Sequence, residues 1–194
     1  MNAQLSKKLS AASRDALKRH FRALAADDRR LRFGSMLSDG ALDAYVDRID
    51  FDRDAVFGVF DEQLNLAGVA HVAVAGGTAE LGVSVLPPFR GRGIGTALFE
   101  RAGTFARNKL VPILFMHCLT ENQAMMHIAK KSRMRIVAES GEADAHLELP
   151  PSSPTSITRE LMQEQMALFD YTLRAHVLSA RRIGDAMLGQ ESAE

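Results

Sequence analysis

The sequence contains no tryptophan, one cysteine, two tyrosines and six prolines, and its 24 Lys/Arg are balanced by 24 Asp/Glu. Each shortage removes a class of structure. Cys118 alone cannot make an intramolecular disulfide or a multi-cysteine zinc site. No stretch approaches the roughly 20 consecutive apolar residues of a membrane-spanning helix. The opening MNAQLSKKLSAAS also lacks the apolar centre of a secretion signal. These absences predict a soluble, cytoplasmic protein that engages no membrane. A nucleic-acid surface is disfavoured as well, because the basic residues are not interleaved with aromatic platforms: there is no Trp and only Tyr45 and Tyr171. His117 and His127 fall on different elements with no acidic or cysteine partner at ligand spacing, so no metal site is expected.

What is present suffices for one domain with an appendage: 194 residues, 46% of them apolar and 25% charged. The zero net charge conceals blocks. Residues 1–38 carry nine Lys/Arg against three Asp/Glu, and residues 39–80 carry two against nine. Residues 81–138 return to nine against two, and 139–194 reverse again to four against ten. A basic block around a glycine-rich loop points to an anionic ligand, and the acidic block before it to a cationic acceptor such as a lysine side chain or a polyamine.

Periodicity divides the chain. From Ser13, Leu17, Phe21 and Leu24 recur at helical spacing, predicting one helix through RDALKRHFRALAADDRRLRF. A second follows Ser38 or Asp39 as cap, with Leu42, Tyr45, Val46 and Ile49 on one side. The period then changes to that of strands in DAVFGVF, LAGVAHVAVA and TAELGVSV, an antiparallel meander with turns at DEQLN and GG. Helix TALFERAGTFARNK, the apolar strand ILFMHCL, helix ENQAMMHIAKK and a closing hairpin MRIVAESGEADAHLEL complete the domain. PPSSPTS reads as a linker. Beyond it Leu161, Phe169, Leu173, Val177 and Leu178 stripe a long amphipathic helix that needs a cover, which a second copy of the chain would supply.

The loop in VLPPFRGRGIGTALF carries the chemistry. It is not a P-loop, which needs G-x-x-x-x-G-K-[ST]. Its glycines 91, 93 and 95 do not match a dinucleotide fingerprint, and no acidic residue follows at the required distance of about 20 positions. Arg90, Gly93 and Gly95 instead satisfy R-x-x-G-x-G. There, glycines free of Cβ allow φ > 0 and close approach, backbone N–H groups converge on an oxyanion, and the helix dipole and the two arginines add positive charge. Pro87 and Pro88 end the preceding strand because they cannot donate ladder hydrogen bonds.

Read at Val85, Pro87, Arg90, Gly91, Gly93, Ile94, Gly95, Thr96 and Leu98, this stretch resembles the acyl-CoA-binding signature of the GNAT family of N-acetyltransferases, and the order of elements over residues 13–149 is similar to that family's. The resemblance implies an α/β (α+β) fold with a mixed, mainly antiparallel sheet whose fourth and fifth strands splay, flanking helices and a C-terminal helical extension. Taken with the linker composition and the helical stripe, it divides the chain into an acyl-CoA-binding acyltransferase domain (1–149), a linker (150–157) and an amphipathic helix (158–194). It implies acetyl-CoA as co-substrate and direct attack by a primary amine, of a small molecule or a protein lysine, in a ternary complex. A non-catalytic CoA-binding module is the alternative.

By position, Arg90, Gly91, Arg92, Gly93, Ile94, Gly95 and Thr96 would hold the pyrophosphate, the backbone of Val83 and Val85 the pantetheine, and Asn122 its flank. A backbone N–H near Val85 would polarise the thioester carbonyl. An amine with a pKa of about 10.4 must lose a proton before it attacks. Glu80, on the strand that supplies a base in several relatives, is the first candidate; His71 on the neighbouring strand is the second, and His117 with Cys118 lies nearer the expected thiolate. The sequence departs from the family where a Tyr and a Gly-Phe pair are usual: Ala129, Arg133 and Met134 stand there.

Overall fold

The structure, a computed structural model, describes residues 5–191; residues 1–4 and 192–194, which the expected domain and C-terminal helix include, lie outside them. Seven strands form one open sheet in the order β1-β2-β3-β4-β5-β7-β6. They are β1 (Lys7–Leu9), β2 (Ala55–Phe60), β3 (Leu66–Ala75), β4 (Thr78–Val85), β5 (Ile113–Leu119), β6 (Arg135–Glu139) and β7 (Glu142–Glu148). Every pairing is antiparallel except β4 with β5, which run parallel. The helices are α1 (Arg14–Arg22), α2 (Ala26–Phe33), α3 (Asp39–Asp47), α4 (Ile94–Asn108), α5 (Gln123–Lys131) and α6 (Pro154–Glu191). The mixed, mainly antiparallel sheet with flanking helices and a C-terminal helix is the architecture expected from the sequence.

Alternation along the strands sends side chains into two cores. Phe57, Leu81, Leu114 and Met116 meet Leu98, Phe99 and Phe105 of α4 on one face. Val56 and Val69 meet Leu17 and Phe21 of α1 and Leu42 and Val46 of α3 on the other. Each such fully buried large side chain contributes about 1.5–3 kcal/mol of transfer free energy, which is what holds both helical layers to the sheet.

The single helix expected after Ser13 is two. Ala25 is extended (φ −63°, ψ 162°) and caps α2, while buried Leu24 turns into the core. Carbonyls freed at the break are taken by one side chain: Arg29 donates to those of Arg22 (2.7 Å) and Leu24 (3.0 Å), and also reaches that of Leu37 beyond α2 (3.0 Å). No Gly or Pro marks the break, so periodicity runs through it. The alternating charge blocks also pair internally. Asp43 bonds Arg22, Lys18 lies 2.7 Å from Asp47, and Arg29 lies 2.7 Å from Asp39. Three of the nine carboxylates in the acidic block, Asp39, Asp43 and Asp47, are thus paired with the basic block that precedes it.

α1 is also locked to the sheet by a histidine. His20, 2% exposed, donates from Nδ1 to the Leu66 carbonyl oxygen (2.8 Å), which leaves Nε2 to accept the Ser84 hydroxyl at 2.8 Å. Burial lowers its pKa from 6.5 to about 4, against the hydrogen bond to Leu66 and with help from the Arg32 charge.

α6 begins at Pro154, inside the segment expected to be linker, and seats itself in an inverted way. Its body-facing side is small or polar: Ala167 is buried, Asn108 of α4 donates to Glu160 (2.7 Å), and Arg101 of α4 reaches Glu160 at 3.3 Å and Glu164 at 2.8 Å. Tyr171 packs on Phe60 with the Lys7 ammonium 4.1 Å from its ring centroid. The apolar residues Leu161, Met162, Met166, Phe169 and Leu173 face outward, Phe169 at 72% exposure.

Two outcomes follow from these contacts. His20 is neutral in the folded protein and binds a proton only when unfolded over the interval between 6.5 and about 4, so stability is lost as the pH is lowered through that window, by roughly 3 kcal/mol at its lower end. Thermal melts from pH 7.5 to 4.5 measure this, and His20→Gln should flatten the slope. The Arg101 side chain is only 2% exposed, so Glu160→Gln with Glu164→Gln strands its charge and should cost about 2 kcal/mol, read as a lower Tm; adding Arg101→Met should restore most of it.

Candidate active site

The site is made by strand divergence. β4 and β5 pair only at Thr78↔Ile113, Ala79↔Leu114 and Glu80↔Phe115. Past Glu80, β4 stays with β3 as far as Val85↔Gly68, while β5 stays with β7 as far as Leu119↔Glu142. The two strands separate with their facing backbone edges unpaired by each other, which makes a slot able to take a ligand that hydrogen-bonds like a strand. Val83 and Val85 lie on the open part of β4, and Glu80 at the apex.

At the wide end Pro87–Phe89 forms a single 3-10 turn and the chain enters α4 through Gly91 (φ 73°) and Gly93 (φ 79°). Both glycines hold a left-handed conformation with open space where a Cβ would stand. Gly93 caps α4, and the Ala97 N–H to Gly93 O bond (3.0 Å) closes the first turn. The N–H groups of Ile94, Gly95 and Thr96 precede that bond and have no carbonyl within the helix to meet. The helix thus starts two residues before the expected Thr96. Gly95 does different work from its neighbours: its φ is helical, and a Cβ there would come within 3.2 Å of Ile128 on α5, so its role is close packing. Arg90 bonds the Val85 carbonyl (3.0 Å) and Asp28 (2.7 Å), and the Arg92 guanidinium lies 5.6 Å from the Phe89 ring centroid.

The narrow end opens into a cleft of about 280 Å³ lined by the end of α2, Tyr45, His71, Glu80, Gly82 and His117. Glu80 is exposed there. His71 is held at both nitrogens: Tyr45 Oη lies 2.6 Å from Nδ1, and Asp54 Oδ2 lies 3.3 Å from Nε2. Burial, reinforced by the Arg32 charge, lowers its pKa, so it is neutral near pH 7. Since the Asp54 carboxylate can only accept, Nε2 carries the proton and Nδ1 accepts from the tyrosine. Burial opposes the Asp54 charge, but hydrogen bonds from Arg53, the Val74 N–H and His71 outweigh it and hold the carboxyl below its usual range.

Other expected residues take no part in these hydrogen bonds, although His117 and Cys118 line the same cleft. Asn122 caps α5, accepting the Met125 N–H (3.1 Å) and donating to the Leu31 carbonyl oxygen (3.2 Å), so both ends of its carboxamide are engaged within the protein. His117 pairs with Asp144 at 2.7 Å on a half-exposed face, whereas Cys118, its neighbour on the strand, turns into the core. Burial, then Asp144, raises the thiol's pKa. Ala129, where a tyrosine would stand, is completely buried, and Arg133 keeps the left-handed φ of 56° natural to a glycine. Among the described residues no group of three or more His, Cys, Asp or Glu is placed to hold a metal ion, and no helix is long and apolar enough to cross a membrane.

Sequence reasoning missed Arg32, Tyr45 and Asp54 as site residues. Arg32 was one of nine cations in its block, and Tyr45 already had a role on the apolar side of its helix. Arg32 lays its guanidinium on the Gly82 backbone, where a Cβ would fall 2.1 Å from Cζ.

No curated protein matches the sequence. Among solved structures, the GNAT domain of S. lividans PAT superposes with a TM-score of 0.64 at 16% identity, covering 74% of this chain and 89% of that one. YncA, a putative acetyltransferase from Salmonella typhimurium with its cofactor acetyl-CoA, gives 0.58 at 15% identity, covering 76% and 95%. A ribosomal-protein-alanine N-acetyltransferase from Brucella melitensis gives 0.58 at 16%, covering 75% and 99%. These likenesses establish the fold. The profile of the acetyltransferase (GNAT) domain matches residues 8–135, a span that runs from β1 through the splayed strands and the glycine loop to the start of β6, and the chain belongs to that family.

Proposed function

We propose that the protein transfers an acetyl group from acetyl-CoA to a primary amine by direct attack in a ternary complex. The observation that carries this reading is the combination of diverging strands with a doubly left-handed glycine turn at the N-terminus of α4. Backbone N–H groups from Gly91 to Thr96, with Arg92 and with Arg90 once it leaves Asp28, fit a pyrophosphate. The edge of β4 at Val83 and Val85 fits the pantetheine amides once Arg90 releases the Val85 carbonyl, and an N–H near Val85 fits the thioester oxygen as charge develops on it. Asn122 contributes by fixing the end of α5 beside the slot.

Glu80 is the group with a free carboxylate at the apex, so it takes the proton of the attacking ammonium, directly or through water. His71 has both nitrogens committed and acts by holding the Tyr45 hydroxyl in the cleft. The departing thiolate, with a thiol pKa of about 8.5, takes its proton from water because Ala129 offers none. That buried alanine is also what favours the second reading, a CoA-binding module without turnover. Thiol release above hydrolysis in the presence of amines separates the two.

The outward stripe of α6 supports a homodimer. Met162, Met166, Phe169 and Leu173 follow the 4-3-4 spacing that packed helices present to one another. A cytoplasmic location is part of the same proposal.

Calorimetry should find one saturable acetyl-CoA site, and Gly93→Val, which forces a β-branched residue to φ 79°, should weaken it tenfold or more. Glu80→Gln should lower kcat by about 10²-fold to 10⁴-fold while leaving acetyl-CoA affinity in place. Failure to bind acetyl-CoA at all would sink the proposal.

A further inference from the structure

Arg32 is a charge without a counter-charge. The other α2 arginines and the neighbouring Arg22 all meet carboxylates: Arg22 meets Asp43, Arg29 meets Asp39 and Arg30 meets Glu121. Among the described residues no carboxylate lies within 4.0 Å of Arg32. Its neighbours are neutral: the Tyr45 hydroxyl 3.2 Å from Nη2, the Phe33 ring 4.7 Å from Cζ and the backbone of Gly82 beneath it. Nε is buried with no hydrogen-bond partner. Its charge is felt by the two nearby histidines, both of which it helps to keep neutral.

A half-buried guanidinium with unfilled donors costs free energy that an anionic ligand would offset. The planar fork matches a carboxylate in a way that a lysine ammonium does not. The position selects among anions. The phosphates have their own site at the far end of the slot, and Glu80 lines the same cleft as Arg32. Glu80 and Gly82 are two residues apart on one face of β4, about 7 Å along the strand. A cation at one point and an anion at the other suit a compact zwitterion, with its ammonium toward Glu80 and its carboxylate toward Arg32.

We propose that Arg32 anchors a carboxylate of the reacting molecules, held over Gly82, so that the acceptor class is a carboxylate-bearing amine of the amino-acid type. This rests on the acetyl-transfer reading and narrows it. The same carboxylate chemistry could reside on the acyl group of the donor, as in a succinyl thioester, and the test has an arm for each source.

Thiol release is measured with acetyl-CoA on matched pairs of amino acids and their carboxamides, alongside spermidine and a lysine peptide. The second arm compares succinyl-CoA with acetyl-CoA on a carboxylate-free amine. The expected result is a kcat/KM at least tenfold higher for the amino acid than for its amide, with the ratio falling toward one in Arg32→Gln. Gly82→Ala, whose Cβ would displace only the flexible end of Arg32, should collapse the same ratio if Arg32→Gln does not fold. A preference confined to the succinyl arm assigns the carboxylate to the donor and overturns the acceptor class. A second readout needs no turnover: a carboxylate bound at Arg32 should raise the NMR titration midpoint of His71, and the amide should not.

Ratios near one in both arms together with an unmoved His71 overturn the proposal. Calorimetry with acetyl-CoA keeps the two readings separable. If acetyl-CoA binds and no carboxylate preference exists, only the anchor fails; if acetyl-CoA does not bind, the transfer reading fails.

Discussion

Everything distinctive in this protein depends on a ladder that stops after three pairs. Parallel pairing between β4 and β5 holds the apex at Glu80 and Phe115, and each strand then follows its other neighbour. An edge opened inside a sheet carries unpaired backbone donors and acceptors, which are costly to bury and therefore persist where a ligand or solvent meets them. The loop at Gly91 and Gly93 and the first turn of α4 lie at the mouth of the same opening. Strand twist, a left-handed turn and a helix start thus converge on one slot, and none of the three would make a site alone.

Across that opening lies α2. Asp28 reaches Arg90 in the glycine loop, Arg30 reaches Glu121, the Leu31 carbonyl accepts from Asn122, and Arg32 rests on Gly82. Four contacts from two turns of helix span the loop, the apex and the start of α5. The two ends of the slot are in this way tied to one short element, whose placement depends on the break at Ala25 and on Arg29 holding three carbonyls.

The sequence made the three-strand meander, the closing hairpin, the glycine loop and most flanking helices legible because those depend on local signals: strand alternation, helical spacing and residues that alone tolerate a special φ. The C-terminal helix was legible for the same reason, although Pro154 begins it earlier than composition suggested. What stayed hidden arises from long-range contact. β1 is three residues long and gains its identity only by pairing with β2. The α1–α2 break depends on an arginine wrapping over it. Asn122, expected at the flank of the ligand, also caps α5 and bonds the Leu31 carbonyl, a tie to α2 that no spacing announces. Tyr45, His71 and Asp54 come from α3, β3 and the turn before β2, and no spacing in the chain marks them as neighbours.

The inverted seat of α6 bears on how the molecule comes apart. Arg101 sits in the main core with its guanidinium 4.8 Å from the Phe57 ring centroid, and its partners Glu160 and Glu164 belong to the last helix. Lifting that helix would take both carboxylates away from a cation packed on Phe57, so undocking carries a penalty felt inside the sheet-helix layer. A segment attached by exposed grease could fray while the rest stayed intact; one attached through the core's own buried cation shares its cooperativity. The docked turns of α6 are coupled in this way to the core they cover.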